Sequence, residues 1–222
     1  MKKVLFIALV MISQITLAQV TKNLGDFNAI SIFDKLNVKL IPGSENKIVI
    51  KGTRASEVET VNNNGVLKVR MPFPKLMSGN DIMIQLYYKN IDDISASEGS
   101  FVSSDAVFKA TIMNVSAREG AQIEVELDAE KVNVKAVTGG IVNLSGEANN
   151  QEVAIGTGGN LSAIDLHTSQ TTVTVSAGGT AEVYATTLVD AKVRAGGNIY
   201  IYGKPKQVNK ATVLGGKIEE KN

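Results

Sequence analysis

The chain has 222 residues, with 23 Lys and Arg against 22 Asp and Glu, one His, no Cys and no Trp. A near-neutral chain without a basic excess gives no footing for a nucleic-acid partner, which needs a basic patch. The absence of Cys excludes disulfides and thiolate metal sites, so stability has to come from aliphatic burial and backbone hydrogen bonds.

The first 18 residues read as a secretory signal peptide: Lys2 and Lys3, an apolar run from Val4 to Ile12, then small residues up to Ala18. The run is too short to span a bilayer, which takes about 20 apolar residues. Cleavage after Ala18 leaves Gln19 as the new N-terminus and 21 basic residues against 22 acidic ones. The expectation is an exported protein, periplasmic or at the cell surface, with no transmembrane span in the mature chain.

Residues 19–92 form an N-terminal β segment. Leu36 to Ile41 and Lys47 to Lys51 are apolar-polar alternations separated by Pro42-Gly43, and Val58 to Val61 and Val66 to Met71 are separated by Asn62-Asn63-Asn64-Gly65. Both separators are turn signals, so the pairs read as hairpins or irregular first coils. Pro72 to Gly79 reads as a loop before a strand from Ile82 to Tyr87. This segment is expected to cap the N-terminal end of a repetitive C-terminal region.

Residues 93–222 repeat. Seven corners align, at Gly99, Gly120, Gly139-Gly140, Gly158-Gly159, Gly178-Gly179, Gly196-Gly197 and Gly215-Gly216. Taking Ser100, Ala121, Gly140, Gly159, Gly179, Gly197 and Gly216 as anchors gives spacings of 21, 19, 19, 20, 18 and 19. Two residues after each anchor stand Val102, Ile123, Val142, Leu161, Ala181, Ile199 and Ile218; six before stand Ile94, Val115, Val134, Val153, Val173 and Ala191. Alternation around each anchor is the period-2 signature of a strand with one buried face, giving two short strands per repeat. A unit this small cannot cover its own apolar face, so the repeats stack into an all-β, single-stranded parallel β-helix. The corner glycines are structural, since a sharp corner needs positive φ or leaves no room for a β-carbon. The charged tail Lys217 to Asn222 blunts the last edge.

Phe27-Asn28-Ala29-Ile30-Ser31-Ile32, the Pro42-Gly43 turn, the glycine corners near every twentieth residue, and Ile201-Tyr202-Gly203-Lys204-Pro205 before a last Gly-Gly resemble the head GIN domain family of auto-transporter adhesins. The resemblance implies an exported right-handed β-helix without established enzymatic activity. The family's Ser-Gly-Ser-Gly corners are replaced here by Glu-Gly-small or Gly-Gly, so no role of those serines carries over.

Chemistry is sparse along the repeats. Glu124 and Glu182 share an outward column but stand three coils apart, roughly 14 Å, too far for paired acid and base work. His167 is the only histidine and reads as a surface residue; no metal constellation and no cofactor motif accompany it. The suggestive outward feature is aromatic: Tyr184 and Tyr202 occupy one column in adjacent coils, with Tyr200 on the same strand as Tyr202. Such a strip can stack on a sugar face or anchor a protein, or it can stiffen the solenoid as a ladder. The sequence therefore predicts a non-enzymatic binding or adhesion module for a polysaccharide or other cell-surface component. The alternatives are a β-helix carbohydrate-active enzyme and a purely structural envelope protein.

Overall fold

A computed structural model describes residues 19–221, so the leader expected over residues 1–18 lies outside the described residues. Within them the chain is β-structure apart from one 3-10 turn, Ala55–Glu57. The first strands are β1 (Gln19–Asn23), β2 (Ala29–Ile32), β3 (Asn37–Pro42), β4 (Lys47–Lys51), β5 (Glu59–Asn63), β6 (Val66–Arg70), β7 (Met83–Tyr88) and β8 (Asp93–Ala96). The repeats follow as β9 (Phe101–Arg118), β10 (Gln122–Val137), β11 (Ile141–Gly156), β12 (Asn160–Ser176), β13 (Thr180–Tyr184), β14 (Leu188–Arg194), β15 (Asn198–Tyr202), β16 (Gln207–Val213) and β17 (Lys217–Glu220).

Successive repeats pair in parallel, each strand with its equivalent one coil on. The molecule is a parallel β-helix. The inward columns foreseen from alternation are real: Val115, Val134, Val153, Val173 and Ala191 lie in register and are buried, as are Val102, Ile123, Val142, Leu161, Ala181 and Ile199.

The corners are two-residue turns with both central residues at positive φ. At Glu119-Gly120 the angles are 54° and 73°, and the N–H of Ala121 donates to the carbonyl of Arg118 at 3.0 Å. Glycine suits the second position because a side chain there strains left-handed backbone. The third position is governed by space: a β-carbon on Gly140 would collide with the carbonyl oxygen of Ala117.

Three features differ from the expectations drawn from sequence. In β9 to β12 a repeat is one strand of 16 to 18 residues instead of two short ones. The chain still changes face, because pairs of successive outward residues such as Glu130-Lys131, Asn149-Asn150 and Ser169-Gln170 invert the alternation without breaking the pairing of the strand as a whole. Second, the uneven spacings are local insertions. Ser104 to Ala106 face Val125 alone, which lengthens the first interval to 21, and β12 carries one extra residue beside Leu144, which lengthens the fourth to 20.

Third, the N-terminal coils stack out of chain order. β2 and β3 lie between β8 and β9 on one side and β6 and β7 on the other, all parallel. β4 does not pair with β3 across Pro42-Gly43; it runs antiparallel to β7 and to β1. The second turn does make a hairpin, β5 against β6, with Asn64 and Gly65 at φ 52° and 80°. Antiparallel strands therefore line the outermost parallel coil, and Asp34-Lys35, at φ 64° and 61°, forms an eighth corner without glycine.

Candidate binding site

The bend common to β9 through β12 makes a trough of about 550 Å³ along the solenoid axis. Its floor is the ladder Ala110, Ala129, Ala148 and Thr168. Small side chains there bring the backbone close to the core, so longer neighbours stand above it as walls. One wall is the register ladder Lys109, Asp128, Glu147 and His167. Two residues further along each strand, Thr111, Glu130, Asn149 and Ser169 form the other. Four rungs at about 4.8 Å give a trough roughly 14 Å long.

The walls are partly self-satisfied. Lys109 Nζ lies 3.2 Å from Asp128, and Asn149 Nδ2 donates to Glu130 at 2.5 Å. Glu147 stands between Asp128 and His167, so the trough carries three carboxylates against one lysine. Glu126 and Asp165 continue the acidic surface beside it. Sequence reasoning missed these acids because neighbouring rungs lie 19 or 20 residues apart and meet only through stacking; the one available signal was their common offset from the glycine anchors.

Of the aromatic residues singled out from sequence, Tyr184 and Tyr202 are register partners, and Tyr200 pairs with Glu182. The Tyr184 ring is packed against His167, centroids 4.4 Å apart and planes 32° apart, instead of lying face to face with Tyr202. The opposite flank of Tyr184 is open to the ring because Gly203 carries no side chain: a β-carbon there would stand 2.9 Å from Tyr184 Cζ. Tyr200 sits in a charged setting, 5.0 Å from Lys221 Nζ and 6.0 Å from Lys217 Nζ. Both lysines clamp Glu219 and hold its carboxyl down to about 2. Thus His167 and Tyr184 join the trough end, whereas Tyr200 belongs to the C-terminal coil. No cluster of three or more metal-ligating side chains occurs among the described residues.

The family description "Putative auto-transporter adhesin, head GIN domain" matches residues 26–205. The chain belongs to this family. The head GIN fold is also that of several solved structures. One from Bacteroides fragilis, described as a putative adhesin, is 18% identical with a TM-score of 0.84, covering 92% of this chain and 97% of the other. A protein from Parabacteroides merdae with the same description is 20% identical with a TM-score of 0.71, covering 93% and 96%. A third, from Parabacteroides distasonis and described as a putative lipid binding protein, is 13% identical with a TM-score of 0.68, covering 92% and 96%. At these identities the likeness establishes the head GIN fold and nothing finer. No curated protein matches the chain. No helix among the described residues is long and apolar enough to cross a membrane.

Proposed function

We propose that this chain is an exported, non-enzymatic adhesion module, displayed in the periplasm or at the cell surface, that holds an extended neutral or amino-bearing glycan along its trough. The observation that carries this reading is the ladder Lys109, Asp128, Glu147 and His167, facing a second polar wall across a floor of alanines and ending at the Tyr184 ring. A stacked solenoid holds such groups on a fixed grid, so a linear polymer meets the same spacing rung after rung. Hydroxyls pair with carboxylates, amides and Ser or Thr, while the His167-Tyr184 ledge offers an apolar face with hydrogen-bonding edges. Tyr202, in register with Tyr184, and Tyr200 stand one coil further on, outside the ledge. The acidic excess selects against polyuronates, because like charges on ligand and wall repel.

A non-enzymatic role is supported by the pairing of the acids. Asp128 is engaged by Lys109 and Glu130 by Asn149, which leaves Glu147 without a second free carboxylate between these walls for acid and base work. The test is a glycan array read in parallel for binding and for new reducing ends. Wild-type chain is expected to retain neutral or amino glycans without cleaving them, and His167→Ala with Tyr184→Ala to lose about tenfold in affinity. Cleavage products, or binding indifferent to both substitutions, would reject the proposal.

A further inference from the structure

The loop that replaces the corner of the outermost coil exposes apolar side chains at the N-terminal end of the solenoid. Phe73 is 86% exposed, Leu76 49% and Met77 43%, and Met83, which opens the next strand, is 63% exposed. Four large apolar side chains within eleven residues, unburied in a chain with a well-filled core, mark a contact surface rather than a packing fault. The loop is held, not slack. Asp34, itself buried, accepts the N–H of Met71 at 2.9 Å and of Met77 at 2.8 Å, and its carbonyl accepts that of Gly79.

Charge says what covers it. Residues 19–92 contain ten Lys and Arg against seven Asp and Glu, a formal +3, whereas residues 93–222 contain eleven against fifteen, a formal −4. The near-neutral whole conceals a dipolar rod. Cations border the apolar tip: Lys75 lies within the loop and Arg54 donates to the carbonyl of Ser78, the two sharing the Glu57 carboxylate at 2.7 and 2.8 Å and leaving one net positive charge there, and Lys51 is the register partner of Met83. Gln19 is in turn the register partner of Lys51, so the first described residue lies at this same end.

We propose that this end of the molecule seats on an anionic lipid surface, with Phe73 and Leu76 entering the headgroup boundary and Lys51 and the net-positive Arg54-Glu57-Lys75 cluster facing the phosphates. Apolar insertion plus basic flanks is the combination that gives reversible interfacial binding. The acidic coils then point away from the bilayer, repelled by it, and carry the trough outward. The inference does not depend on the glycan reading, since the two surfaces share no residue.

The chain has no Trp, so Phe73→Trp introduces a single reporter. The chain beginning at Gln19 is mixed with vesicles of phosphatidylethanolamine and phosphatidylglycerol. The expected results are a blue-shifted Trp emission for Phe73→Trp and none for Leu214→Trp, an exposed apolar site at the opposite end. Phe73→Ser with Leu76→Ser should lower the vesicle-bound fraction about tenfold with the fold intact by circular dichroism, and raised salt or phosphatidylcholine vesicles should weaken wild-type binding. Emission unmoved by vesicles, an equal shift at both reporters, or equal partition into phosphatidylcholine would overturn the proposal. So would a concentration-dependent dimer abolished by the serine pair without vesicle binding, which would assign the patch to a second copy. Glycan retention by the serine variant separates this result from the trough.

Discussion

Lys210 and Glu220 pair at 2.6 Å across the last coil, in two columns that carry Ala191 and Ile201 one rung earlier. Two inward positions that are apolar one rung earlier become charged where the stack stops, while Val208 and Ile218 stay apolar. An open rung exposes unpaired backbone and a hydrophobic floor, which is a template for another copy, and inward-pointing charge removes its value as one.

Lys210→Val with Glu220→Ile should therefore leave the monomer's own stability little changed, since an exposed pair is worth at most about 1 kcal/mol. Self-association should appear. Sedimentation velocity over a concentration series is the measurement, and a strictly monomeric double variant would show that the ion pair does not guard this end.

Gly140 and Gly120 test the two reasons for corner glycines separately. Gly140→Ala drives a β-carbon into the Ala117 carbonyl and should cost about 3 kcal/mol, at the upper end for overpacking. Gly120→Ala, at φ 73° with open space around it, should cost about 1 kcal/mol, the backbone penalty alone. Urea denaturation that reverses this order would refute the assignment.

Asp34→Ala leaves two buried or half-buried N–H groups without an acceptor and should cost about 2 to 3 kcal/mol. The effect should be local first. Limited proteolysis is expected to cut within Pro72 to Gly79 in the variant before wild type is touched.

Two acids should respond to pH with opposite sign. Partial burial, and then the charge of Asp34, raise the Glu98 carboxyl above its usual 4.5, with Glu119 adding to the effect. The folded state then holds that proton more tightly than the unfolded state, so stability falls as pH rises from 4.5 through the raised value. Glu98→Gln should remove this slope and gain about 0.5 kcal/mol near neutrality. Glu219, held at about 2 by Lys217 and Lys221, contributes stability that is complete above 4.5 and lost as pH falls towards 2, a loss that Glu219→Gln should abolish. Melting temperatures of the three proteins from about pH 2 to 8 check both signs.

Gly203→Ala would place a β-carbon 2.5 Å from the Ala185 carbonyl and 2.9 Å from the Tyr184 ring, at a φ of 89°. The ring should be displaced from His167, visible as a changed His167 imidazole shift by NMR. A spectrum unchanged at His167 would mean that Gly203 does not seat the ring.

The solenoid was legible because its causes are short-range. Glycine is required where φ turns positive or a β-carbon meets the preceding coil, and alternation marks which side chains face the core, so Gly120, Gly140 and the Val115 to Ala191 column announce themselves. Asp34-Lys35 makes the same turn with Lys35 at the second position, where the other corners carry glycine, and so it leaves no glycine signal in the sequence.

Stacking order and the site came from tertiary structure alone. Parallel pairing has no local turn chemistry to betray it, so nothing near Val66 to Tyr88 indicates that this coil lies outside the one formed by Ala29 to Pro42. The trough joins residues one coil apart, and the Tyr184 ring chose His167 because intervals of 20 and 18 residues shift neighbouring columns against each other. The sequence determined that the chain coils and where it turns; only the stacked register decided which side chains meet.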